Sequence, residues 1–126
     1  MFENLAIIRM SEALAEHASA RLGLVARNIA GADTPGFKAM DLPDFASTYD
    51  DGGMAMRATR PGHVASMSGG LEPVALRSEG EMSPDGNTVS LEREMVRSVE
   101  IRQQHDMALA VYRSAADIIR ASLGRR

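Results

Sequence analysis

The sequence contains no cysteine and no tryptophan. Without cysteine, a disulfide framework and thiolate chemistry are both excluded. Such a chain suits the cytosol, and equally an oxidising space in which nothing can mispair. Aromatic residues are scarce, at 4% of 126 residues. Phe2, Phe37, Phe45, Tyr49 and Tyr112 are too few to anchor a dense core, so aliphatic side chains, alanine and nine methionines must do most of the packing. No apolar run approaches the ~20 residues needed to span a membrane. A basic excess is also missing: the net charge is −3, so affinity for nucleic acid through phosphate neutralisation is not expected. The first residues, MFENLAIIRMSEALAEHASA, do not read as a secretory signal. Glu3 precedes any base, and Arg9, Glu12 and Glu16 interrupt the apolar stretch. If the chain leaves the cytoplasm, the expected route cleaves no signal peptide.

Motifs for chemistry are missing as well. His17, His63 and His105 are the only histidines, and none has a second ligand at metal-binding spacing. Asp41/Asp44 and Asp50-Asp51 are paired carboxylates without the order of a calcium loop, and read as a solvated acidic loop. No Gly-x-Ser-x-Gly occurs, and neither Gly52-Gly53 nor Gly69-Gly70 is followed by the Gly-Lys-Ser/Thr of a phosphate loop. The expectation is no catalytic site, no cofactor, no metal and no enzyme.

What is present is helical periodicity at both ends. Ile7, Met10, Leu14, Ala18, Leu22, Val25 and Ile29 form one stripe, which predicts an amphipathic helix from about Glu3 to Ala30. The mean step of roughly 3.67 residues lies nearer an 11-residue repeat than a heptad, so strong supercoiling is not implied. Gly23 is a weak point worth about 1 kcal/mol relative to Ala. A second helix is predicted from Leu91 to Leu123, after the turn Asp85-Gly86-Asn87. Ser90 is its expected N-cap, with Glu92 and Glu94 at the positive end of the dipole, Arg120 in the last turn and Gly124 as the stop. It carries two apolar lines. One is Leu91, Met95, Val99, Met107, Ala110, Ile118 and Ala121; the other is Ile101, Ala108, Tyr112, Ala115, Ile119 and Leu123. Arg102–Asp106 and Arg113–Asp117 are expected i,i+4 pairs. Arg125 and Arg126 read as a solvated end.

Residues 31–87 hold nine of the eleven glycines and all five prolines, so no long helix fits there. Short strands are expected around Met54–Thr59 and Val74–Arg77. The remainder either stays unordered before assembly, for want of apolar surface to offset its entropy, or folds back over the helices. Met54, Met56 and Met67 are candidate adaptable contact residues there. This segment is also acidic, with nine acids against four bases, whereas residues 88–126 carry seven arginines against five acids.

The fold class that follows is mainly α. Long N- and C-terminal helices pair as an antiparallel, coiled-coil-like hairpin around an irregular or partly β Gly/Pro-rich middle. One domain contains all three segments: 1–30, 31–87 and 88–126. Two helices alone are a marginal unit, and two apolar lines exceed what one partner helix covers. Self-association or a partner chain is therefore expected.

The stretch VARNIAGADTPGFK sharpens this. Asn28-Ile29-Ala30, followed by Asp33-Thr34-Pro35-Gly36-Phe37-Lys38, resembles the signature of bacterial flagellar rod and hook proteins, whose first helix ends in an N-I-A-N-x-x-T-x-G-[YF]-K pattern. Met56-Arg57-Ala58-Thr59 ahead of Pro61 and His63, and Asp85-Gly86-Asn87-Thr88-Val89-Ser90-Leu91-Glu92-Arg93-Glu94-Met95, are similar to elements of the short proximal rod members of that family. Gly31 stands where the family usually has Asn, and Phe37 replaces the commoner Tyr.

The resemblance implies a non-enzymatic structural subunit of the basal-body rod of the motility apparatus. Its terminal helices would stack around a central channel, and it would be exported by the flagellar type III apparatus to a periplasmic site. Implied partners are rod subunits of the FlgC and FlgF type, the junction protein FliE and the export apparatus. Asn28, Ile29, Asp33, Thr34, Pro35, Gly36, Phe37 and Lys38 would form an assembly motif. In it, Gly31 and Pro35-Gly36 stop the helix, the side chains of Asn28, Asp33 and Thr34 hold the turn, and Phe37 and Lys38 face a neighbour. The helix packing faces would be Ile7, Met10, Leu14, Ala18, Leu22 and Val25 with Leu91, Met95, Val99, Met107, Ala110 and Ile118. The alternative reading is a soluble helical adaptor or export chaperone that binds one partner helix in the cytoplasm.

Overall fold

A computed structural model describes residues 2–51, 74–75 and 83–124. Two long helices dominate it, α1 over Phe2–Ala30 and α3 over Leu91–Leu123. A short helix, α2, covers Phe45–Asp51, and β1 (Met40–Asp41) pairs antiparallel with β2 (Val74–Ala75), Met40 opposite Ala75. The ends of both long helices lie within a residue of the positions that periodicity predicts. Neither contains proline, and alanine and unbranched side chains supply most of the turns. Val74–Ala75 is the start of the expected Val74–Arg77 strand. The expected Met54–Thr59 strand, the Met56–His63 element, Met67, the Gly52-Gly53 and Gly69-Gly70 pairs, and Arg125 and Arg126 lie outside the described residues.

The helix pair meets along small residues. Ala18, Val25 and Ile101 form the buried apolar cluster, with Leu22 packed against it, and Ala108 and Ala115 are buried further along α3. Alanine at the contact brings two helix backbones close but buries little side-chain area. The two largest fully buried side chains are Ile101 and Asn28, one apolar and one polar. The core is therefore thin, and half of its bulk has to be satisfied by hydrogen bonds.

The two apolar lines of α3 have different environments. Ile101, Ala108 and Ala115, from the second, are the residues buried in the chain. Leu91, Met95, Val99, Met107 and Ile118, from the first, are exposed, Val99 at 67% and Met95 at 56%. Ala110 and Ala121 are exposed with them. On α1, Ala18 and Val25 are buried and Leu14 and Leu22 half-buried, but Ile7 and Met10 near the N-terminus are exposed.

Three local expectations are corrected. Residues 45–51 are helical, not irregular: the Asp44 carbonyl accepts from Thr48 N–H and from the hydroxyls of Ser47 and Thr48, which starts a turn that apolar spacing does not mark. Phe45 then meets His17 edge-on at 5.6 Å, while His17 Nε2 lies 2.9 Å from the Pro43 carbonyl, so a buried histidine anchors this segment on α1. Ser90 is the N-cap residue, as expected, but its hydroxyl makes no capping hydrogen bond. On the surface of α3, Asp117 pairs with Arg120 three residues on, not with Arg113, and Asp106 lies 3.8 Å from His105, not against Arg102.

Gly23 lies mid-helix, exposed, with nothing within 4 Å of where a Cβ would stand. Gly23→Ala is expected to stabilise the chain by about 0.5–1 kcal/mol, through helix propensity and a less flexible unfolded state. Urea unfolding followed by far-UV circular dichroism checks the shift in midpoint.

Candidate functional site

The end of α1 and the start of α3 are joined by a polar clasp built from the two sequence motifs. Gly31 closes α1: its N–H donates to the carbonyls of Arg27 and Asn28. The chain then turns through Gly36 at φ +71°, in the left-handed region that glycine adopts without strain. The facing loop turns through Gly86 at φ +76°, and a Cβ there would stand 3.7 Å from the Gly36 Cα. What glycine supplies at both turns is the left-handed φ, since a Cβ at Gly86 would make an ordinary contact and one at Gly36 none.

Asn87 fills the gap between the loops. Its buried side-chain amide donates to the carbonyls of Gly31, Ala32 and Thr34 at 3.0, 2.7 and 2.9 Å, and its Oδ1 accepts the Val89 N–H. Carbonyls at a helix end have no partner within the helix; those of Arg27, Asn28 and Ile29 are taken by the Gly31 and Ala32 N–H groups, and Asn87, 53 to 56 residues away in sequence, takes the carbonyls of the turn just beyond. Gly36 N–H donates to the Asp85 carbonyl, Thr88 N–H to that of Phe37, and Ala39 N–H to the Thr88 hydroxyl. Lys38 Nζ donates to the Gly86 carbonyl at 3.0 Å.

Below the loops lies a buried ring of charged and amide groups. Asn28 donates from Nδ2 to the Met40 carbonyl and to Glu94 Oε2, at 2.9 and 3.0 Å, while its Oδ1 accepts the Met40 N–H. Glu94 takes Arg97 Nη1 at 2.7 Å. Arg97 Nε approaches Asp41 Oδ2 at 3.9 Å, and Asp41 is held bidentately by Arg21, Nε to Oδ1 at 2.9 Å and Nη2 to Oδ2 at 2.6 Å. The ring thus runs α1, β1, α3 and back to α1. Burial by itself would raise the Asp41 carboxyl. The Arg21 hydrogen bonds, the Leu42 N–H and the charges of Arg21 and Arg97 outweigh it, and hold the group below the usual carboxylate range. The Asp41 bond in turn raises the already basic Arg21. Among the described residues no buried side-chain polar atom lacks a partner.

Several sequence expectations are redistributed by this geometry. Asn28 bonds backbone groups, as expected, but at Met40 where the turn ends, and it also braces α3, while carbonyls within the turn are held by Asn87. Asp41 is a buried ion-pair member, not part of a solvated loop. Glu94 faces the interior and does more than balance a helix dipole. Phe37 folds back: three of its ring atoms would lie 2.6 Å from any Cβ at Gly31. Asp33, Thr34, Pro35 and Ile29 are exposed. Arg21, Asn87 and Arg97 carry much of the site and were not singled out from sequence. The signal for Asn87 lay in the Asp-Gly-Asn turn itself, where a short amide can reach backbone carbonyls. Nothing local marked Arg21, whose partner lies 20 residues on.

Among the described residues there is no group of three His, Cys, Asp or Glu that could hold a metal ion, and no helix long and apolar enough to cross a membrane. No family model matches the chain. It is 34% identical to the flagellar basal body rod protein FlgB of Agrobacterium fabrum over 117 residues, covering 86% of this chain and 85% of the relative. It is 34% identical to the FlgB protein of Salmonella typhimurium over 102 residues, 72% of this chain and 73% of that one. With the FlgB protein of Escherichia coli it shares 32% over 103 residues, 71% and 72% of the two chains.

Two outcomes are expected from the clasp. Asp41 has a lowered folded-state pKa, so its stabilisation is complete above the unfolded value of ~3.9 and is lost as pH falls through the folded value. Asp41→Asn should cost ~3 kcal/mol at neutral pH, as when a buried pair loses one partner. That deficit should shrink below about pH 4, as parallel denaturation series of the two chains would record. Gly31→Ala should displace the Phe37 ring and cost about 1–3 kcal/mol; Gly31→Ala with Phe37→Ala should cost less than the two losses summed.

Proposed function

This chain belongs to the FlgB family of flagellar basal body rod proteins, and on that premise we propose that it is a structural, non-enzymatic subunit that builds the tubular rod by helix packing. α1 and α3 act as one antiparallel hairpin, and the three segments form a single domain around it. The observation that carries this reading is the outer face of α3. Met95, Val96, Val99, Met107 and Ile118 are all more than half exposed along a helix whose other face is already buried. An apolar line of that extent on a thin-cored helix pair gains by burial against further helices, at about 25 cal/mol per Å² removed from water. Leu5, Ile7 and Met10 extend the same kind of surface along the first turns of α1.

The subunit is exported through the flagellar type III apparatus without a cleaved signal and joins the rod on the periplasmic side. Its neighbours there are copies of itself, rod subunits of the FlgC and FlgF type and the junction protein FliE. The support for this placement is the family membership.

The test uses charge on the outer face. Val99→Asp and Ile118→Asp change residues that are 67% and 55% exposed, so the isolated chain should keep its circular dichroism and unfold within about 0.5 kcal/mol of wild type. In cells lacking the native copy, both variants should be missing from purified basal bodies and should not restore swimming. Normal incorporation of both variants, or a chain that fractionates only with the cytoplasm, would contradict the proposal.

A further inference from the structure

The signature around residues 28–38 invites the view that a neighbouring subunit reads it. The geometry points elsewhere: we infer that segments 28–42 and 83–97 close as one cooperative clasp that fixes the register of α1 on α3, and that Asn28, Gly31, Phe37 and Lys38 act inside the chain, not on a neighbour.

Each of these residues is engaged within the same molecule, Asn28 and Gly31 by burial and Phe37 and Lys38 by a contact each. Asn28 is 1% exposed, with both side-chain hydrogen-bonding atoms engaged by Met40 and Glu94. Gly31 is buried, with Phe37 lying against it. Lys38, the one exposed member, reaches the Gly86 carbonyl. Met40 and Phe37 are local partners, and the long-range ones, the Glu94 carboxylate and the Gly86 carbonyl, come from the second motif, 48 to 66 residues away. The two motifs therefore complete each other. The turn beyond α1 lacks a side-chain partner for its Ala32 carbonyl until Asn87 arrives, and Glu94 is not fully partnered until Asn28 is in place. Buried polar groups of this kind discriminate sharply between the one arrangement that satisfies them and any shifted one, because a missed hydrogen bond in the interior is costly. The alanine-lined helix contact has no comparable preference. A helix slid by one turn would still meet small apolar residues, but would separate Asn28 from Glu94 by about 5 Å.

A double-mutant cycle on the isolated full-length chain tests the cooperativity. Asn28→Ala and Asn87→Ala should each lower the unfolding midpoint. Combined, they should lose less than the sum, by roughly tenfold in the unfolding constant, because either one opens the same unit. Asp33→Ala, at the exposed tip, should leave the midpoint unchanged. Additive losses, unaltered midpoints or a chain with no cooperative transition would each overturn the inference. Should either asparagine variant fail to fold, Lys38→Met and Thr88→Val provide the cycle with the same two outcomes.

A second arm tests the direction in which the motif faces. Lys38→Met changes an exposed side chain, and its incorporation into basal bodies should match wild type once allowance is made for the lower stability of the free chain. Loss of incorporation with an unaltered unfolding midpoint would show that a neighbour reads Lys38. This arm rests on the rod reading and the cycle does not, so failure of one leaves the other interpretable.

Discussion

The arrangement of this molecule depends on a single buried contact, the Asn28 amide between the Met40 backbone and the Glu94 carboxylate. It joins the last turn of α1, the strand segment and the first turn of α3 at one point. Around it, Arg97 and Arg21 neutralise Glu94 and Asp41 and close the ring. An isolated buried carboxylate would be prohibitive, and two buried carboxylates paired with half-buried guanidiniums add little net stability over apolar side chains of equal volume. What such a ring contributes is discrimination. Its members are satisfied in one geometry only, and the helix pair is fixed to that geometry.

The need for discrimination follows from the thin apolar core. Ala18, Ala108 and Ala115 allow close approach of the two backbones, but alanine surfaces match one another at many offsets. A core of larger interlocking side chains would define its own register by shape. Here shape is weak and polarity substitutes for it, with Ser11, His17, Asn28, Asp41, Asn87 and Glu94 buried alongside seven small or medium apolar residues. His17 repeats the strategy on a smaller scale, holding the Pro43–Phe45 corner to α1 by one hydrogen bond and one ring contact.

The parts of this design that could be read from the sequence were those with a local period. The limits of α1 and α3 follow from apolar spacing, proline exclusion and Gly31 and Gly124. The start of β2 follows from a short apolar run between turns. The two lines on α3 were both visible, but not which one the chain would bury; that depends on the facing residues of α1 and on where the clasp stops the slide. The 45–51 helix was hidden because Ser47, Thr48 and Tyr49 have no helical apolar period, and a carbonyl at Asp44 starts the turn. The ring itself was invisible for a stricter reason. Arg21 and Asp41 look like ordinary surface charges until a turn 31–39 places them face to face, and Glu94 has the credentials of a dipole acid at a helix start. Motif resemblance marked Asn28 as special, without indicating that its partner would be Glu94, 66 residues later.

The inside and outside of this chain are inverted relative to an ordinary small domain. Buried carboxylates lie where α1 ends and α3 begins, and Val99 and Met95 lie at the surface. For a solitary protein this would combine two weaknesses, a core of low apolar content and an exposed apolar line that invites aggregation. For a subunit whose final state is surrounded by other helices, both features are consistent. The interior has to fix the geometry of two helices before any neighbour arrives, a task suited to directional hydrogen bonds. In the proposed rod packing, the exterior has to bind other helices, a task suited to non-directional apolar contact. Placing the clasp where α1 ends and α3 begins and leaving the apolar line along α3 keeps the two tasks on different residues. A change at Val99 can then alter association without loosening Asn28, and a change at Asn28 can unsettle the register without altering the surface that a neighbour meets.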